Sequence, residues 1–293
     1  MRIDAGLGRK AGTGRDKNTG ALLNGDILME KKELLISTNG PIATLTLNRP
    51  DQRNTLTPKL LAGIHLTLEK WAAGDTIRAV VVTGGSGSVF SAGYDIGTIS
   101  MDADPENRRL LKKDNPFDLA LSSIRNFPYP VIAMMNGHAF GGGLNLAMAC
   151  DISIGADDIK TGMPPAKLGL VYPPAGLQLF VEVLGMARVR EIFLTGKTYS
   201  GSAVKAMGLV DHLVPRDDLV QRTYALAAEI AGNAPLAVRG IKKMLNMLGE
   251  RMSLDAAFLA EAEKLVTTAL NSEDLKEGRS AFLDKRKPIF KGQ

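Results

Sequence analysis

Two glycine-rich breaks in this chain have the composition of turns that expose backbone N–H groups. Phe-Ser-Ala-Gly-Tyr-Asp at 90–95 follows the strand-like run Ala79–Thr83, and Ala-Phe-Gly-Gly-Gly-Leu-Asn at 139–145 follows Val131–Met135. Each break opens an apolar, helix-like stretch, and the first N–H groups of a helix have no partner within it. Two such helix starts in one pocket would offer paired donors to a carbonyl oxygen that becomes negative during reaction. The pair predicts an oxyanion hole, although single glycine turns commonly serve tight geometry alone.

Carboxyl groups are missing around the second break and from a later segment of the chain. No Asp or Glu occurs between Asp118 and Asp151, nor between Asp158 and Glu182. General acid–base chemistry by a nearby Asp or Glu is therefore disfavoured in these segments. One titratable side chain stands in a suggestive place, Tyr172 in Leu-Val-Tyr-Pro-Pro, although a tyrosine beside two prolines is more often a packing residue.

Composition limits the classes of protein to consider. The chain has 293 residues, of which 45% are hydrophobic and 23% charged, as in an ordinary soluble globular protein with a sizeable core. The single cysteine, Cys150, excludes an internal disulfide framework and suits a reducing compartment, so we expect a cytoplasmic protein. No apolar stretch approaches a membrane-spanning length. His65, His138 and His212 share no ligand spacing, and no metal site is expected.

The net charge of +5 does not by itself indicate a nucleic-acid-binding protein. The positive charges are scattered along the chain, and aromatic side chains for base stacking are few. The densest basic run, Lys-Arg-Lys at 285–287, lies near the C-terminus and would suit either a solvated helix end or a phosphate-bearing ligand.

The order of elements predicts an α/β protein. Strand-like runs at Ile42–Leu47, Ala79–Thr83, Val131–Met135, 152–155 and 209–214 alternate with helical segments at 57–71, 144–150, 176–184 and 188–195. After Pro215, three amphipathic helices are predicted at 217–232, 235–248 and 253–270, as an oligomerisation region. We therefore divide the chain into a flexible basic extension (1–29), a core (30–215) and a helical C-terminal region (216–293). Residues 102–115 are predicted to form a mobile loop over a pocket.

Five segments together resemble the enoyl-CoA hydratase/isomerase, or crotonase, family. They are Asn-Arg-Pro at 48–50, residues 89–96, residues 137–151, Leu-Gly-Leu at 168–170 and residues 280–288, and the match covers roughly residues 30–293 in order. The resemblance implies a crotonase-like spiral of ββα units, assembled as a homotrimer or a dimer of trimers. It also implies an acyl-CoA thioester substrate, with no separate cofactor and no nucleic-acid or membrane partner.

The resemblance assigns roles to particular residues. The backbone N–H groups of Tyr94 and Gly142 would bind the thioester oxygen, in agreement with the oxyanion hole predicted from the turns. Coenzyme A would be held by Arg53, Ser91 and Ala92, and by a neighbouring subunit's last helix, through Phe282 and Lys285.

The chain departs from the family pattern where hydratases carry two glutamates. Those positions are Asn145 and Pro165 here, and neither side chain exchanges a proton as a carboxyl group does. Gly-Leu-Val-Tyr at 169–172 and Val-Phe-Ser-Ala-Gly at 89–93 resemble the methylmalonyl-CoA decarboxylase branch, in which a tyrosine at the Tyr172 position contacts the departing carboxylate. That branch has histidine in place of Tyr94 and glutamate in place of Asn145.

Decarboxylation fits the missing carboxyl groups, because loss of CO₂ from a malonyl-type thioester needs an oxyanion hole and no general base. We therefore expect Tyr94, Gly142, Asn145 and Tyr172 to form the catalytic site of a thioester decarboxylase. One alternative is a divergent hydratase or isomerase that uses Asp102, Asp104 or Glu106 from the loop. A second alternative is a non-catalytic acyl-CoA-binding subunit.

Overall fold

The computed structural model describes residues 32–94, 115–249 and 256–291, and residues 32–293 form one compact unit. The predicted extension at 1–29 lies outside the described residues. So does almost all of the predicted loop, including Asp102, Asp104 and Glu106, and so does the stretch that follows Tyr94.

In the described residues, ten strands form two sheets, and most neighbouring strands run parallel. The larger sheet has the order β1-β2-β3-β5-β7-β10, and only β1 and β2 pair antiparallel. The smaller sheet has the order β4-β6-β8-β9, with β8 and β9 antiparallel. The strands are β1 (Leu34–Asn39), β2 (Ile42–Leu47), β3 (Ala79–Thr83), β4 (Val89–Ser91), β5 (Val131–Met135), β6 (His138–Phe140), β7 (Ile152–Ala156), β8 (Lys160–Gly162), β9 (Thr198–Ser200) and β10 (His212–Val214).

The described part of the chain also contains ten α-helices. They are α1 (Pro58–Ala72), α2 (Pro116–Asn126), α3 (Gly142–Met148), α4 (Pro174–Leu184), α5 (Met186–Thr195), α6 (Ser202–Ala206), α7 (Leu219–Gly232), α8 (Pro235–Gly249), α9 (Ala256–Leu270) and α10 (Glu273–Leu283). The predicted helix that starts at Pro58 has the cap expected of it, because Thr57 Oγ1 accepts a hydrogen bond from Leu60 N at 3.1 Å. In the described part of the chain, no helix combines the length and apolar character needed to cross a membrane.

The glycine breaks do not follow the strands named in the sequence-based prediction directly. The three-residue strands β4 and β6 intervene, so each break begins within a strand of the smaller sheet. Three residues are too few to produce a recognisable alternating pattern, which explains why the sequence did not reveal them. The predicted strand at 209–214 is likewise shorter in the structure and begins at His212.

The core lies around the central strands of the larger sheet. Every residue of β3 and β5 is buried, as expected for parallel strands covered on both faces. A partly buried ion pair attaches α8 to this core: the buried Lys242 Nζ lies 2.6 Å from Asp151 Oδ2 and donates to Tyr129 O at 3.0 Å. The same carboxylate oxygen accepts the Val131 N–H at 2.7 Å, so its charge is well compensated.

Candidate active site

The first glycine turn is held by the side chain of Asn54. Its amide nitrogen donates to Gly84 O and Val89 O, both at 3.0 Å, and its amide oxygen accepts Arg49 N at 2.9 Å. The backbone of Asn54 is left-handed, with φ of 52°, a conformation that asparagine tolerates better than most residues. The side chain is buried, and both of its polar atoms have partners.

Ser91 connects this asparagine to the turn itself. Its hydroxyl donates to Asn54 O at 2.8 Å and accepts Gly93 N at 3.1 Å, while Ala92 N donates to Arg53 O at 3.0 Å. The path of the chain into Tyr94 is therefore fixed by hydrogen bonds on both sides.

The side chain of Asn136 holds the segment that leads into the first turn. Its amide oxygen accepts Gly84 N at 2.8 Å and Thr83 Oγ1 at 3.2 Å, and its amide nitrogen donates to Gly87 O at 2.6 Å. Further along, Gly141 has φ of 53°, which favours glycine, and it leads directly into α3.

The two glycine turns meet. A Cβ atom built on Gly93 would lie 3.0 Å from Gly142 N, and one built on Gly142 would lie 3.4 Å from Tyr94 N. Within residues 32–94, 115–249 and 256–291, neither the Tyr94 N–H nor the Gly142 N–H has an acceptor. Two unpaired donors on adjacent turns are the arrangement that the oxyanion-hole prediction requires.

A cavity of about 150 Å³ opens in front of these donors. Tyr94, Gly142 and Tyr172 line it, with Ala92 at one side. Much of the remaining wall is apolar and includes Phe117, Leu170, Val266 and Leu270. Pro165, at one of the two positions where a family hydratase would have a glutamate, also lines the cavity, so no carboxyl group enters from there.

Asn145 does not line the cavity. Its side chain is fully buried, and its amide nitrogen donates to Tyr172 Oη at 2.7 Å. Its amide oxygen is also buried and has no hydrogen-bond donor in the part of the chain that the structure describes. Asn145 was predicted as a catalytic residue, and the structure places it in contact with Tyr172, which lines the cavity, and off the cavity wall itself. Its catalytic role stays a prediction.

Aromatic packing holds the two tyrosines. The Tyr172 ring lies 5.3 Å from the Phe193 ring between centroids, and Tyr94 meets Phe117 edge-on at 6.1 Å. Burial raises the pKa of both phenols above the ordinary value near 10, so both are neutral hydrogen-bond donors at neutral pH.

Asp118 bears on this site although the sequence reasoning gave it no role. It lies in the first turn of α2, next to Phe117, and Asn115 caps that helix by accepting Asp118 N at 2.9 Å. Burial raises the pKa of the Asp118 carboxyl group, and its charge in turn helps to raise the pKa of Tyr172. The sequence contains a signal for this helix start that the sequence analysis did not use, the capping pattern Asn-Pro-Phe-Asp at 115–118.

The residues predicted to hold coenzyme A fall into two groups. Arg53, Ser91 and Ala92 are adjacent to the first turn, but the Ser91 hydroxyl is buried and already engaged, which leaves only its backbone for a ligand. Phe282 and Lys285 lie at the end of α10 and do not line the cavity of their own chain. Their predicted role in a neighbouring subunit's site therefore stays a prediction.

The basic run at 285–287 is divided by an ion pair. Arg286 makes a two-pronged contact with Glu277, with distances of 2.6 Å and 2.9 Å, and this contact lowers the pKa of Glu277 to about 2. Lys285 and Lys287 form no ion pair with any of the residues that the structure describes. Lys285 thus keeps an unneutralised ammonium group in the segment where the sequence predicts phosphate binding.

His138 makes a hydrogen bond to the backbone, which indicates a structural role. Its Nδ1 accepts the Lys160 N–H at 3.1 Å, as expected of a residue with a structural hydrogen bond. Among the described residues, no three His, Cys, Asp or Glu side chains cluster in a way that could hold a metal ion.

Comparison with known proteins identifies the class. The family model described as "Enoyl-CoA hydratase/isomerase" matches residues 37–293. The 2,3-dehydroadipyl-CoA hydratase of Escherichia coli is 33% identical over 261 residues, covering 89% of this chain and 99% of that protein. The carnitinyl-CoA dehydratase of Salmonella typhi is 31% identical over 266 residues, covering 89% and 99%.

Solved structures agree with the sequence comparison. A methylmalonyl-CoA decarboxylase in complex with 2-nitronate-propionyl-CoA superposes with a TM-score of 0.82 at 28% identity, covering 90% of this chain and all of that one. An enoyl-CoA hydratase/carnitine racemase from Magnetospirillum magneticum gives 0.71 at 33% identity, covering 89% and 96%. The fold of this chain is thus shared with these solved structures. The chain belongs to the enoyl-CoA hydratase/isomerase, or crotonase, family.

Proposed function

We propose that this protein is an acyl-CoA thioester lyase that removes CO₂ from a malonyl-type CoA. One observation carries the proposal: the cavity has two unpaired backbone donors and a phenol, but none of its described lining residues has a carboxyl group. Stabilisation of an enolate needs the donors alone, whereas hydration or double-bond isomerisation needs a group that exchanges protons.

Decarboxylation requires little of the protein beyond groups that stabilise the enolate. The bond between the α-carbon and the carboxylate carbon breaks, CO₂ leaves, and the electron pair moves into the thioester to form an enolate. The Tyr94 and Gly142 N–H groups would hold the developing negative oxygen. The enolate carbon then takes a proton from water, which completes the product thioester. Removing one oxyanion donor commonly costs on the order of 3 kcal/mol of transition-state stabilisation.

Tyr172 would contact the departing carboxylate, because it is the polar side chain on the wall formed by residues 164–173. The apolar remainder of the wall would favour loss of a localised charge over its retention. The structural likeness to a methylmalonyl-CoA decarboxylase supports this assignment.

The hydratases among the relatives support a second candidate, a divergent hydratase or isomerase. That activity would need an acid such as Asp102, Asp104 or Glu106, all outside the described residues. A third candidate is an acyl-CoA-binding subunit without turnover. The candidates differ in product, so one assay separates them.

The test is a mass-resolved assay with malonyl-, methylmalonyl- and crotonyl-CoA, run on the wild-type protein and on Tyr172→Phe. CO₂ loss from a malonyl-type substrate, weakened about tenfold or more in the variant, supports decarboxylation. Hydration of crotonyl-CoA without CO₂ loss would overturn it. Binding of all three thioesters with no turnover would instead favour the non-catalytic subunit.

We also propose that the site is completed in a homotrimer or a dimer of trimers. Large apolar side chains are exposed along α8, and they include Leu236, Ile241, Met244, Leu245 and Leu248. An unneutralised Lys285 at the end of α10 would then meet the phosphates of coenzyme A held by a neighbour. Light scattering at several protein concentrations would give the mass, and Lys285→Ala should weaken binding of CoA more than that of a short acyl pantetheine.

A further inference from the structure

A buried amide lies directly behind the phenol that faces the cavity. The amide nitrogen of Asn145 donates to Tyr172 Oη at 2.7 Å, and Tyr172 is in the cavity wall. Asn145 itself has no exposed surface. Any influence of Asn145 on a ligand in the cavity must therefore pass through Tyr172.

The direction of this hydrogen bond determines whether the Tyr172 hydroxyl has a proton available to donate to a ligand. Because the amide N–H donates, it occupies a lone pair of Oη and leaves the phenolic proton unused. No other described group accepts that proton, and burial keeps the phenol neutral by raising its pKa.

Gly176 provides the space for this contact. A Cβ atom built there would lie 2.3 Å from Tyr172 Cε1 and 2.8 Å from the amide nitrogen of Asn145. Gly176 lies within α4 and has no positive φ, so glycine is needed here for close approach rather than for backbone conformation. On the far side, the Phe193 ring packs against Tyr172 at 5.3 Å between centroids.

We propose that Asn145 is a positioning residue that keeps the Tyr172 O–H directed into the cavity. The pair would thereby select acyl-CoA ligands that carry a hydrogen-bond acceptor, specifically a carboxylate oxygen, on the acyl group. This inference rests on the proposed function. It adds the residue that sets the direction in which the Tyr172 O–H donates its hydrogen bond.

The test is a double-mutant cycle on ligand preference. The dissociation constants of 2-carboxypropyl-CoA and propyl-CoA, two stable thioethers that differ by the carboxylate, are measured for wild type, Asn145→Leu, Tyr172→Phe and the double variant. Wild type should prefer the carboxylate analogue by about tenfold or more, as expected for a hydrogen bond to a charged group. Asn145→Leu should lower that preference about fivefold, with propyl-CoA binding changed less than about twofold.

The decisive comparison is between the effect of Asn145→Leu on ligand preference in the wild-type protein and its effect in Tyr172→Phe. In Tyr172→Phe, the further change Asn145→Leu should alter the preference by less than about twofold, because Asn145 then has no hydroxyl to orient. Gly176→Ala, which crowds both side chains, should lower the preference as Asn145→Leu does. The inference fails if Asn145→Leu weakens both ligands equally, or if it acts as strongly without the hydroxyl as with it.

The same measurements separate this inference from the proposed function. If wild type binds neither analogue, or binds both equally, the proposed function and the inference both fail. If wild type prefers the carboxylate analogue and Asn145→Leu leaves that preference unchanged, only the role of Asn145 is overturned.

Discussion

Three buried asparagines lie close to the glycine turns, and they differ in how completely they are hydrogen-bonded. Asn54 and Asn136 are 2% and 5% exposed, and in both the amide oxygen and the amide nitrogen have backbone partners. Asn145 is 0% exposed, donates once to a phenol and leaves its amide oxygen without a donor in the described chain. The first two hold backbone in place, whereas the third holds a side chain.

The difference shows that the burial of an asparagine side chain does not by itself indicate that the residue stabilises the fold. A buried polar group with every partner supplied contributes to stability, and its removal leaves several backbone groups unsatisfied. A buried amide with an unpaired oxygen carries an energetic cost that the fold does not recover locally. Such a group is better explained by what it does to its neighbour, here Tyr172, than by stability.

The largest effect is expected at Asn136. Asn136→Ala would leave two buried groups, Gly84 N and Thr83 Oγ1, without the amide oxygen that accepts from them, and each unsatisfied buried group costs about 1–3 kcal/mol. We expect the free energy of unfolding to fall by about 3–5 kcal/mol, as measured by urea denaturation. The control is Asn126→Ala on exposed helix surface, which should change it by less than about 0.5 kcal/mol. If Asn136→Ala lowers the free energy of unfolding no more than Asn126→Ala does, Asn136 is not a structural asparagine and the contrast with Asn145 fails.

Gly176→Ala is expected to have an intermediate effect. The added methyl group meets Tyr172 and Asn145 at distances that force one of them to move, and overpacking of this kind costs about 1–3 kcal/mol. The helix itself would gain from alanine. Gly240→Ala is the matched control, because a Cβ atom there meets nothing within 4 Å. Equal thermal midpoints for the two variants would contradict the steric argument.

Asn145→Leu should change stability least, in spite of complete burial. The substitution removes one hydrogen bond together with an unpaired oxygen, so the unfolding free energy should stay within about 1 kcal/mol of wild type. Thermal denaturation followed by circular dichroism measures it. A loss as large as that of Asn136→Ala would place Asn145 with the structural asparagines and break the comparison.

The pH dependence of ligand preference sharpens the role of Tyr172. A phenol donates a hydrogen bond only below its pKa, and burial raises that pKa above the ordinary value near 10. The preference for 2-carboxypropyl-CoA over propyl-CoA should therefore stay constant from about pH 7 to about pH 10. A decline centred well below pH 10 would show that another group controls the preference.

Much of this arrangement followed from the sequence. The pair of breaks led to the oxyanion-hole hypothesis, and the two turns do lie together in the structure, although their spacing in the sequence could not show this. The central strands were predicted at their observed bounds. The position of Asn145 behind Tyr172 could not be predicted, because it depends on a contact across 27 residues and on the absence of a side chain at Gly176. The same holds for Asp118, whose burial arises from tertiary packing and has no periodic signature.

The wall of the cavity has a consequence for the synthesis of the chain. Tyr94 and Gly142 are synthesised before Val266 and Leu270 of α9, which line the same cavity. The donors of the two turns are therefore made before the cavity wall is complete. A nascent chain lacks part of that wall until α9 has docked, so loss of α9 would weaken ligand binding even if both glycine turns had formed.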